Sequence, residues 1–172
     1  MEGIAEDSGG TTWVLSKKNQ LFSIVGDKIE KQASLSDELG RQKLLVADRN
    51  GGVWLGTQLG KSTISYFRDG RFQTTSLSSP QGPVGIHALF VDSDNSLLVP
   101  SSQGLYRLND GQLTLFSSEN GLPCPETFSA IRDNHNALWI YTRCGLIRIA
   151  ESEWAKWIEN PHACLLYTSR CV

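Results

Sequence analysis

The sequence has no basic cluster that could bind a phosphate backbone. Its 172 residues contain 16 Lys and Arg against 18 Asp and Glu, for a formal net charge of -2. Binding of nucleic acid requires concentrated positive charge, so nucleic acid is not an expected partner. No apolar run is long enough to span a bilayer. We therefore expect membrane contact only through segments outside this sequence.

The motifs of several common enzyme classes are also missing. There is no Gly-x-Ser-x-Gly elbow, no P-loop, no His-Glu-x-x-His and no Cys-x-x-Cys pair. The three histidines, His87, His135 and His162, stand apart in the sequence. We therefore expect no catalytic residue, no metal site and no cofactor.

The sequence does contain a fourfold repeat with the spacing Asp-x-x-Gly/Asn-x-x-Trp/Leu. The copies start 41, 44 and 41 residues apart, and each ends on a hydroxyl residue three positions after the Trp or Leu. The acids are Asp7, Asp48, Asp92 and Asp133; the large apolar residues are Trp13, Trp54, Leu98 and Trp139; the hydroxyl residues are Ser16, Thr57, Ser101 and Thr142. A period near 40 residues built from short strands predicts the blades of a β-propeller.

The predicted fold class is therefore all-β, with about four blades of four-stranded antiparallel sheets. The blades form a partial propeller domain over residues 1–163, with repeat units at about 4–45, 46–86, 87–127 and 128–163. The stretch Ile4 to Asp7 matches Leu89 to Asp92, the end of an inner strand. We expect the rest of that first strand to lie outside the sequence.

A structural role explains why the acids recur. An Asp carboxylate accepts hydrogen bonds from the backbone amides of its own turn, and Gly or Asn tolerates the positive φ of the reversal. The Trp that follows begins the next strand and can pack between neighbouring blades. We accordingly assign turn and packing roles, not catalysis, to two groups of residues: Asp7, Asp48, Asp92 and Asp133, and Trp13, Trp54 and Trp139.

The last repeat departs from the pattern after Ile149. In "ESEWAKWIENP", Trp154 and Trp157 have helical spacing, Ser152 could cap the start, and Asn160-Pro161 would stop the helix. A short helix here competes with a fourth strand. The final nine residues, 164–172, fit no repeat and resemble the translation of a sequencing-adaptor end, so they are predicted to be a non-native tail. The alternative is a genuine terminal strand, since Leu165-Leu166-Tyr167 has strand character.

The motifs resemble the two-component-regulator propeller repeats, whose pattern is D-x-x-G-x-L-W-I-G-T, then G-L, then a segment ending in N-G-L-P. The matching stretches are "DRNGGVWLGT", "DNHNALWIYTRCGLIR", "SSQGLYRLNDGQL" and "DGQLTLFSSENGLP". The resemblance covers about residues 4 to 160 and implies a propeller that continues beyond both ends of the sequence.

The resemblance also implies a function. Such propellers are the periplasmic or extracellular sensor parts of membrane-bound histidine kinases, hybrid kinases and diguanylate cyclases. The chain is then a non-catalytic input module that passes a signal to a downstream transmitter. The implied partners are a small molecule or glycan, and a second copy through the whole receptor. The alternative is part of a propeller enzyme, such as a lyase, with its catalytic residues in other blades.

Strand alternation places the expected ligand site. In a four-stranded blade, the loop before the inner strand and the loop between the second and third strands share one end. These loops contain Pro83 to His87, Ser102-Gln103, Pro123 to Thr127 and Arg143. The candidate ligand-binding residues are His87, Glu126 and Arg143. Cys124 and Cys144 lie in two such loops of one blade, where a disulfide competes with two separate buried thiols.

Overall fold

The computed structural model describes residues 2–35, 42–57, 62–79 and 82–165. It divides into two compact units, Met1–Val91 and Asp92–Val172. In the described ranges the chain forms antiparallel sheets, one for each sequence repeat. The predicted all-β class and the four sheets are confirmed.

In each sheet the strands follow one another in chain order, as in a meander. The first sheet contains β1 (Gly3–Glu6), β2 (Thr12–Leu15), β3 (Gln20–Val25) and β4 (Lys28–Ser34). The second contains β5 (Gln42–Ala47), β6 (Val53–Thr57), β7 (Thr63–Arg68) and β8 (Arg71–Ser76). The third contains β9 (Phe90–Val91), β10 (Leu97–Ser101), β11 (Gly104–Asn109) and β12 (Gln112–Phe116). The fourth contains β13 (Thr127–Arg132), β14 (Leu138–Thr142) and β15 (Gly145–Ile149).

The first unit has a core between its two sheets. The buried side chains are Trp13, Leu15, Leu21, Leu35, Val53, Leu55 and Phe67. The Trp13 ring meets the Phe67 ring edge-on, with centroids 6.0 Å apart. This places the indole of the first repeat between the two sheets, and burial of a ring of this size is a large apolar contribution.

In the second unit a helix stands where a fourth strand would complete the last sheet. Helix α1 covers Glu151–Glu159 and buries Trp154 and Trp157 against Phe116 of β12. Of the two alternatives that the sequence left open for the last repeat, the short helix is confirmed and the fourth strand is not formed. The reason is the spacing of the two Trp residues, which puts both on one side of a helix but on opposite faces of a strand.

The ends of α1 agree only in part with the sequence pattern. The helix stops before Asn160, as Asn160-Pro161 predicted. The expected cap at Ser152 is wrong, because the N-cap residue is Ala150, whose side chain makes no capping hydrogen bond. Glu151 and Glu153 in the first turn place negative charge at the positive end of the helix instead.

The predicted tail lies mostly outside the described residues. Cys164 is exposed, whereas Leu165 is buried and its backbone N–H donates to the Asn120 carbonyl over 2.9 Å. Residues 166–172 are not among those described. Across the described ranges, no helix combines the length and hydrophobicity required to cross a bilayer.

Candidate functional site

The first and fourth repeats close the Asp turn with the indole of their own Trp. In the first repeat, Asp7 Oδ1 accepts from the amides of Gly9 and Thr11, and Asp7 Oδ2 accepts from Trp13 Nε1 over 3.0 Å. The fourth repeat does the same. Asp133 Oδ1 accepts two turn amides, and Asp133 Oδ2 accepts from Trp139 Nε1 over 2.8 Å. The six-residue spacing therefore brings the indole N–H onto the acid that begins the turn.

These hydrogen bonds favour the ionised carboxylates. The Trp139 indole, together with two turn amides and nearby Arg148, lowers the pKa of Asp133 to about 2, against the opposing effect of burial. At Asp7, burial raises the pKa, but the hydrogen bonds from Trp13 and the turn amides outweigh it and lower the pKa overall. Both acids are thus held as charged acceptors, which suits a structural role and not proton transfer.

The second repeat uses a tyrosine in place of the indole. Asp48 Oδ1 accepts from the amides of Asn50 and Gly52, and Asp48 Oδ2 accepts from the Tyr66 hydroxyl over 2.6 Å. Burial and this hydrogen bond raise the pKa of Tyr66 to about 12. Gly52 leaves room for the phenol, because a Cβ at that position would collide with the Tyr66 ring. The centroids of the Trp54 and Tyr66 rings are 4.4 Å apart.

The third repeat has Leu98 in place of Trp and uses an ion pair. Asp92 is fully buried, and Arg132 of β13 donates to both of its oxygens over 2.7 Å. The turn itself is closed by Asp94, which accepts from the Ser96 amide and hydroxyl. Asn95 has a φ of 65°, the left-handed conformation that Gly51 adopts in the second repeat. In the first and fourth repeats, one Asp accepts from both the turn amides and a side-chain donor. In the third repeat, Asp94 accepts from the Ser96 amide and Asp92 accepts from the Arg132 side chain.

The hydroxyl residues organise the other end of each sheet, which we call the loop end; the end with the Asp turn is called the turn end. The Ser101 hydroxyl donates to the Gly104 carbonyl over 2.7 Å, and the Thr142 hydroxyl donates to the Gly145 carbonyl over 2.9 Å. Thr127 also reaches the Gly104 carbonyl, over 2.8 Å, and so ties β13 to the third sheet. In the third and fourth sheets, this hydroxyl therefore fixes the loop between the second and third strands.

The loop end of the second sheet contains a cavity of about 300 Å³. Its lining is rich in hydroxyl groups and includes two apolar side chains: Ser62, Thr63, Ser76, Leu77, Ser78, Ser79, Gly82 and Pro83. The Ser62 hydroxyl, just before β7, donates to the Val84 carbonyl and so holds Val84 beside the start of β7. Of the loop residues expected to form a ligand site, only Pro83 lines this cavity. Small-molecule sites are commonly concave loop surfaces of this kind.

The loop end of the fourth sheet brings Glu126 and Arg143 together. The Arg143 amide donates to the Glu126 carbonyl over 3.0 Å, and the two side chains form an ion pair at 3.5 Å. The Arg143 side chain is 78% exposed, so this pair adds little stability and its charges remain accessible. Cys124 and Cys144 are joined by a disulfide at the same end, with Cα atoms 5.9 Å apart.

The candidate ligand residues do not all belong to one unit. Glu126 and Arg143 lie in the second unit, whereas half-buried His87 lies in the first. His135 is exposed in the turn after Asp133. In the described part of the chain, no three His, Cys, Asp or Glu side chains cluster in a way that could hold a metal ion. The candidate ligand residues therefore lie at separate loop ends, which belong to two different units.

Three important residues were not identified by sequence reasoning. Tyr66, Arg132 and Asp94 complete the turn ends of the second and third repeats. One feature of the sequence could have indicated Arg132. Leu98 occupies the Trp position of the third repeat, so Asp92 has no indole N–H from its own repeat to accept. Tyr66 gave no such signal, since Trp54 occupies the expected position.

Neither the family models nor the curated proteins contain a match to this chain. Solved structures do match. The extracellular domain of BT4673 from B. thetaiotaomicron, described as a one-component system, is 26% identical with a TM-score of 0.62. The match covers 87% of this chain and 20% of that one. The extracellular domain of the hybrid two-component system BT3049 from the same organism is 16% identical, with a TM-score of 0.63, over 92% and 22%.

An enzyme shares the fold. Virginiamycin B lyase from Staphylococcus aureus is 21% identical with a TM-score of 0.68, over 87% of this chain and 52% of that one. The chain thus spans about half the length of the lyase and about a fifth of the sensor chains. The predicted resemblance is confirmed: the four sheets are β-propeller blades similar to those in extracellular domains of two-component systems.

Proposed function

We propose that this chain is a non-catalytic input module that binds a small hydroxylated molecule or glycan at its loop ends. It would act outside the cytoplasm, as part of an inner-membrane histidine kinase or diguanylate cyclase. The main observation behind this proposal is that the two ends of the sheets differ in what their polar groups bind. The recurrent acids are occupied by turn amides, indoles, a phenol and a guanidinium, whereas the loop ends present a hydroxyl-lined cavity and an exposed ion pair.

The likeness to extracellular sensor domains supports this proposal, because a receptor needs a binding surface outside the membrane and no chemistry there. Ser62, Ser76 and Ser78 provide donors and acceptors that suit sugar hydroxyls, and Leu77 and Pro83 provide apolar surface. The lyase likeness favours the alternative, a propeller enzyme. At 21% identity it is a likeness of fold alone.

The first test is the complete reading frame that contains this sequence. We expect it to encode a membrane-spanning helix followed by a histidine kinase or diguanylate cyclase. A frame without a membrane span and without a transmitter would contradict the proposal. A solved structure of an inactive S. aureus virginiamycin B lyase contains quinupristin. Incubation of the whole protein with quinupristin, followed by mass spectrometry, therefore tests the alternative directly, since cleavage would favour the lyase.

The second test measures signalling by the whole receptor in lipid vesicles. Maltose, cellobiose, lactose and xylobiose are added in turn, and phosphate incorporation or cyclic dinucleotide synthesis is recorded. Ser76→Trp should fill the cavity and abolish the response to any active sugar. Ser34→Trp is the matched control, because Ser34 ends β4 as Ser76 ends β8 but does not line this cavity. Equal responses of the two variants would place the ligand elsewhere.

The charged candidates need separate variants, because they belong to different units. Glu126→Gln with Arg143→Gln tests the loop end of the fourth sheet, and His87→Gln tests the segment before β9. We expect at least one of the two variants to weaken the receptor response. Unchanged signalling in both would remove these residues from the site.

A further inference from the structure

The outer hairpin of the second sheet places two arginines opposite each other. Strands β7 and β8 pair Arg68 with Arg71 on either side of the Asp69-Gly70 turn, and pair Tyr66 with Gln73 one step further along the same face. This hairpin lies at the turn end, away from the loop-end cavity. Like charges in directly opposite positions destabilise a sheet, so the pair needs an explanation.

Equivalent hairpins in the same molecule show that the fold does not require this pair. The positions of Arg68 and Arg71 correspond to Val25 and Lys28 in the first sheet. In the third sheet they correspond to Asn109 and Gln112. All three hairpins have a two-residue turn containing Gly, so turn geometry alone does not select arginine.

The hairpins also differ in how positive charge is compensated. In the first sheet, Lys28 forms an ion pair with Glu30 at 2.5 Å. In the second sheet the position of Glu30 is Gln73, whose amide carries no charge. Arg68 has one described carboxylate within ion-pair distance, that of exposed Asp69, 3.5 Å from its Nε, and its guanidinium also interacts with the Tyr66 hydroxyl. Among the described residues, no carboxylate lies within ion-pair distance of Arg71. Within the described ranges, the hairpin therefore carries one more positive charge than nearby carboxylates balance.

A cavity of about 350 Å³ lies on this face, lined by Tyr66, Arg68, Asp69, Arg71 and Gln73. The Tyr66 ring forms a fixed wall, because its hydroxyl donates to buried Asp48 and its ring packs on Trp54. Two guanidinium groups beside a rigid aromatic wall and an amide suit a ligand oxyanion, since guanidinium forks donate in pairs to carboxylate, sulfate or phosphate oxygens.

We propose that this hairpin is a second binding site, which takes the oxyanion of a small soluble ligand between Arg68 and Arg71. The Gln73 amide donates a further hydrogen bond, and Tyr66 supports the body of the ligand. The site is independent of the proposed sensory function and would exist whether or not the loop ends bind a sugar. The oxyanion that the site binds is either the carboxylate of an acidic saccharide or a free tetrahedral anion.

The test follows the arginine Nε–H signals of the 172-residue chain by NMR at constant ionic strength. Sodium glucuronate, sodium sulfate and sodium phosphate are titrated separately. We expect saturable shifts of the Arg68 and Arg71 signals. Tighter binding of glucuronate would identify the carboxylate source, and tighter binding of sulfate or phosphate the tetrahedral one. Either result supports the oxyanion site, and the absence of a saturable shift with all three anions would overturn it.

Two variants and a matched control sharpen this test. Arg71→Gln and Lys28→Gln each remove one cation from equivalent hairpin positions, so they change the net charge equally. We expect Arg71→Gln to weaken binding about tenfold or more, because a paired charged contact is lost, and Lys28→Gln to leave it unchanged. Gln73→Glu recreates the arrangement of Lys28 and Glu30 and should also weaken binding. Equal affinities of Arg71→Gln and Lys28→Gln would show non-specific attraction and overturn the site.

Discussion

The turns of the third and fourth repeats stabilise the same reversal by different chemistry. In the fourth, a single acid accepts the turn amides on one oxygen and the Trp139 indole on the other. In the third, Asp94 accepts the turn amide, and buried Asp92 is free to pair with Arg132 of the next sheet. The first arrangement stabilises one blade internally, whereas the second joins two consecutive sheets.

The comparison shows which part of the repeat is constrained. The backbone requirements of the turn are the same in every repeat. The turn amides need a hydrogen-bond acceptor, and the chain reversal needs a residue with a positive φ. The second carboxylate oxygen accepts from a different donor in different repeats: an indole, a phenol or a guanidinium. The difference in burial between the acids determines how much the loss of each donor should cost.

Arg132→Ala should have the largest effect, because it leaves the fully buried Asp92 carboxylate without its cation. Loss of one partner of a buried pair costs about 3–5 kcal/mol of unfolding free energy. Urea unfolding measures this cost. The double variant Asp92→Leu/Arg132→Met should be less destabilised than Arg132→Ala, since no buried charge remains. A cost of under about 1 kcal/mol for Arg132→Ala would contradict the ion-pair account.

Removal of the Cys124–Cys144 disulfide should rank next. The bond joins residues 20 apart, and closing a loop of that size stabilises by roughly 3 kcal/mol in the chain-entropy model. Cys124→Ser/Cys144→Ser should lower the urea midpoint accordingly. Cys164→Ser is the control, because Cys164 is an exposed free thiol and its loss should change nothing. Peptide mapping of the unreduced protein must recover the linked pair, or the prediction fails.

The sequence predicts the repeated parts of this molecule better than its exceptions. Spacing alone located the four turns, because an acid, a positive-φ residue and a strand start are local requirements. Local signals also favoured the helix at residues 151–159 as an alternative. Arg132 and Tyr66 could not be assigned, because they meet their acids 40 and 18 residues away in sequence. The loop-end cavity likewise depends on tertiary packing of Ser62 against the segment around Val84.

Trp139→Phe tests the self-contained turn and should cost less than either change above, since Asp133 is partly exposed. It removes the main cause of the lowered pKa, so the pKa of Asp133 should rise from about 2 toward its ordinary value of 3.8. A folded-state pKa below the unfolded one stabilises above the unfolded value and loses that stabilisation as pH falls through the folded value. The difference between wild type and Trp139→Phe should therefore shrink between about pH 4 and about pH 2. Carboxyl carbon NMR titration and urea unfolding measure both effects, and an unchanged Asp133 pKa would refute the indole's role.

The smallest effect is expected at Trp54, although it occupies the same repeat position as Trp139. The Trp54 indole N–H is buried and has no hydrogen-bond partner among the described residues, because Tyr66 occupies the Asp48 oxygen. Trp54→Phe therefore removes no hydrogen bond and relieves an unpaired buried donor, so the cost should stay within about 0.5 kcal/mol. Tyr66→Phe is the matched comparison and should cost about 1.5 kcal/mol, because it takes a donor from a buried carboxylate. Urea unfolding of the two single variants decides between them, and a larger loss for Trp54→Phe than for Tyr66→Phe would mean that ring packing, not the donor to Asp48, stabilises this turn.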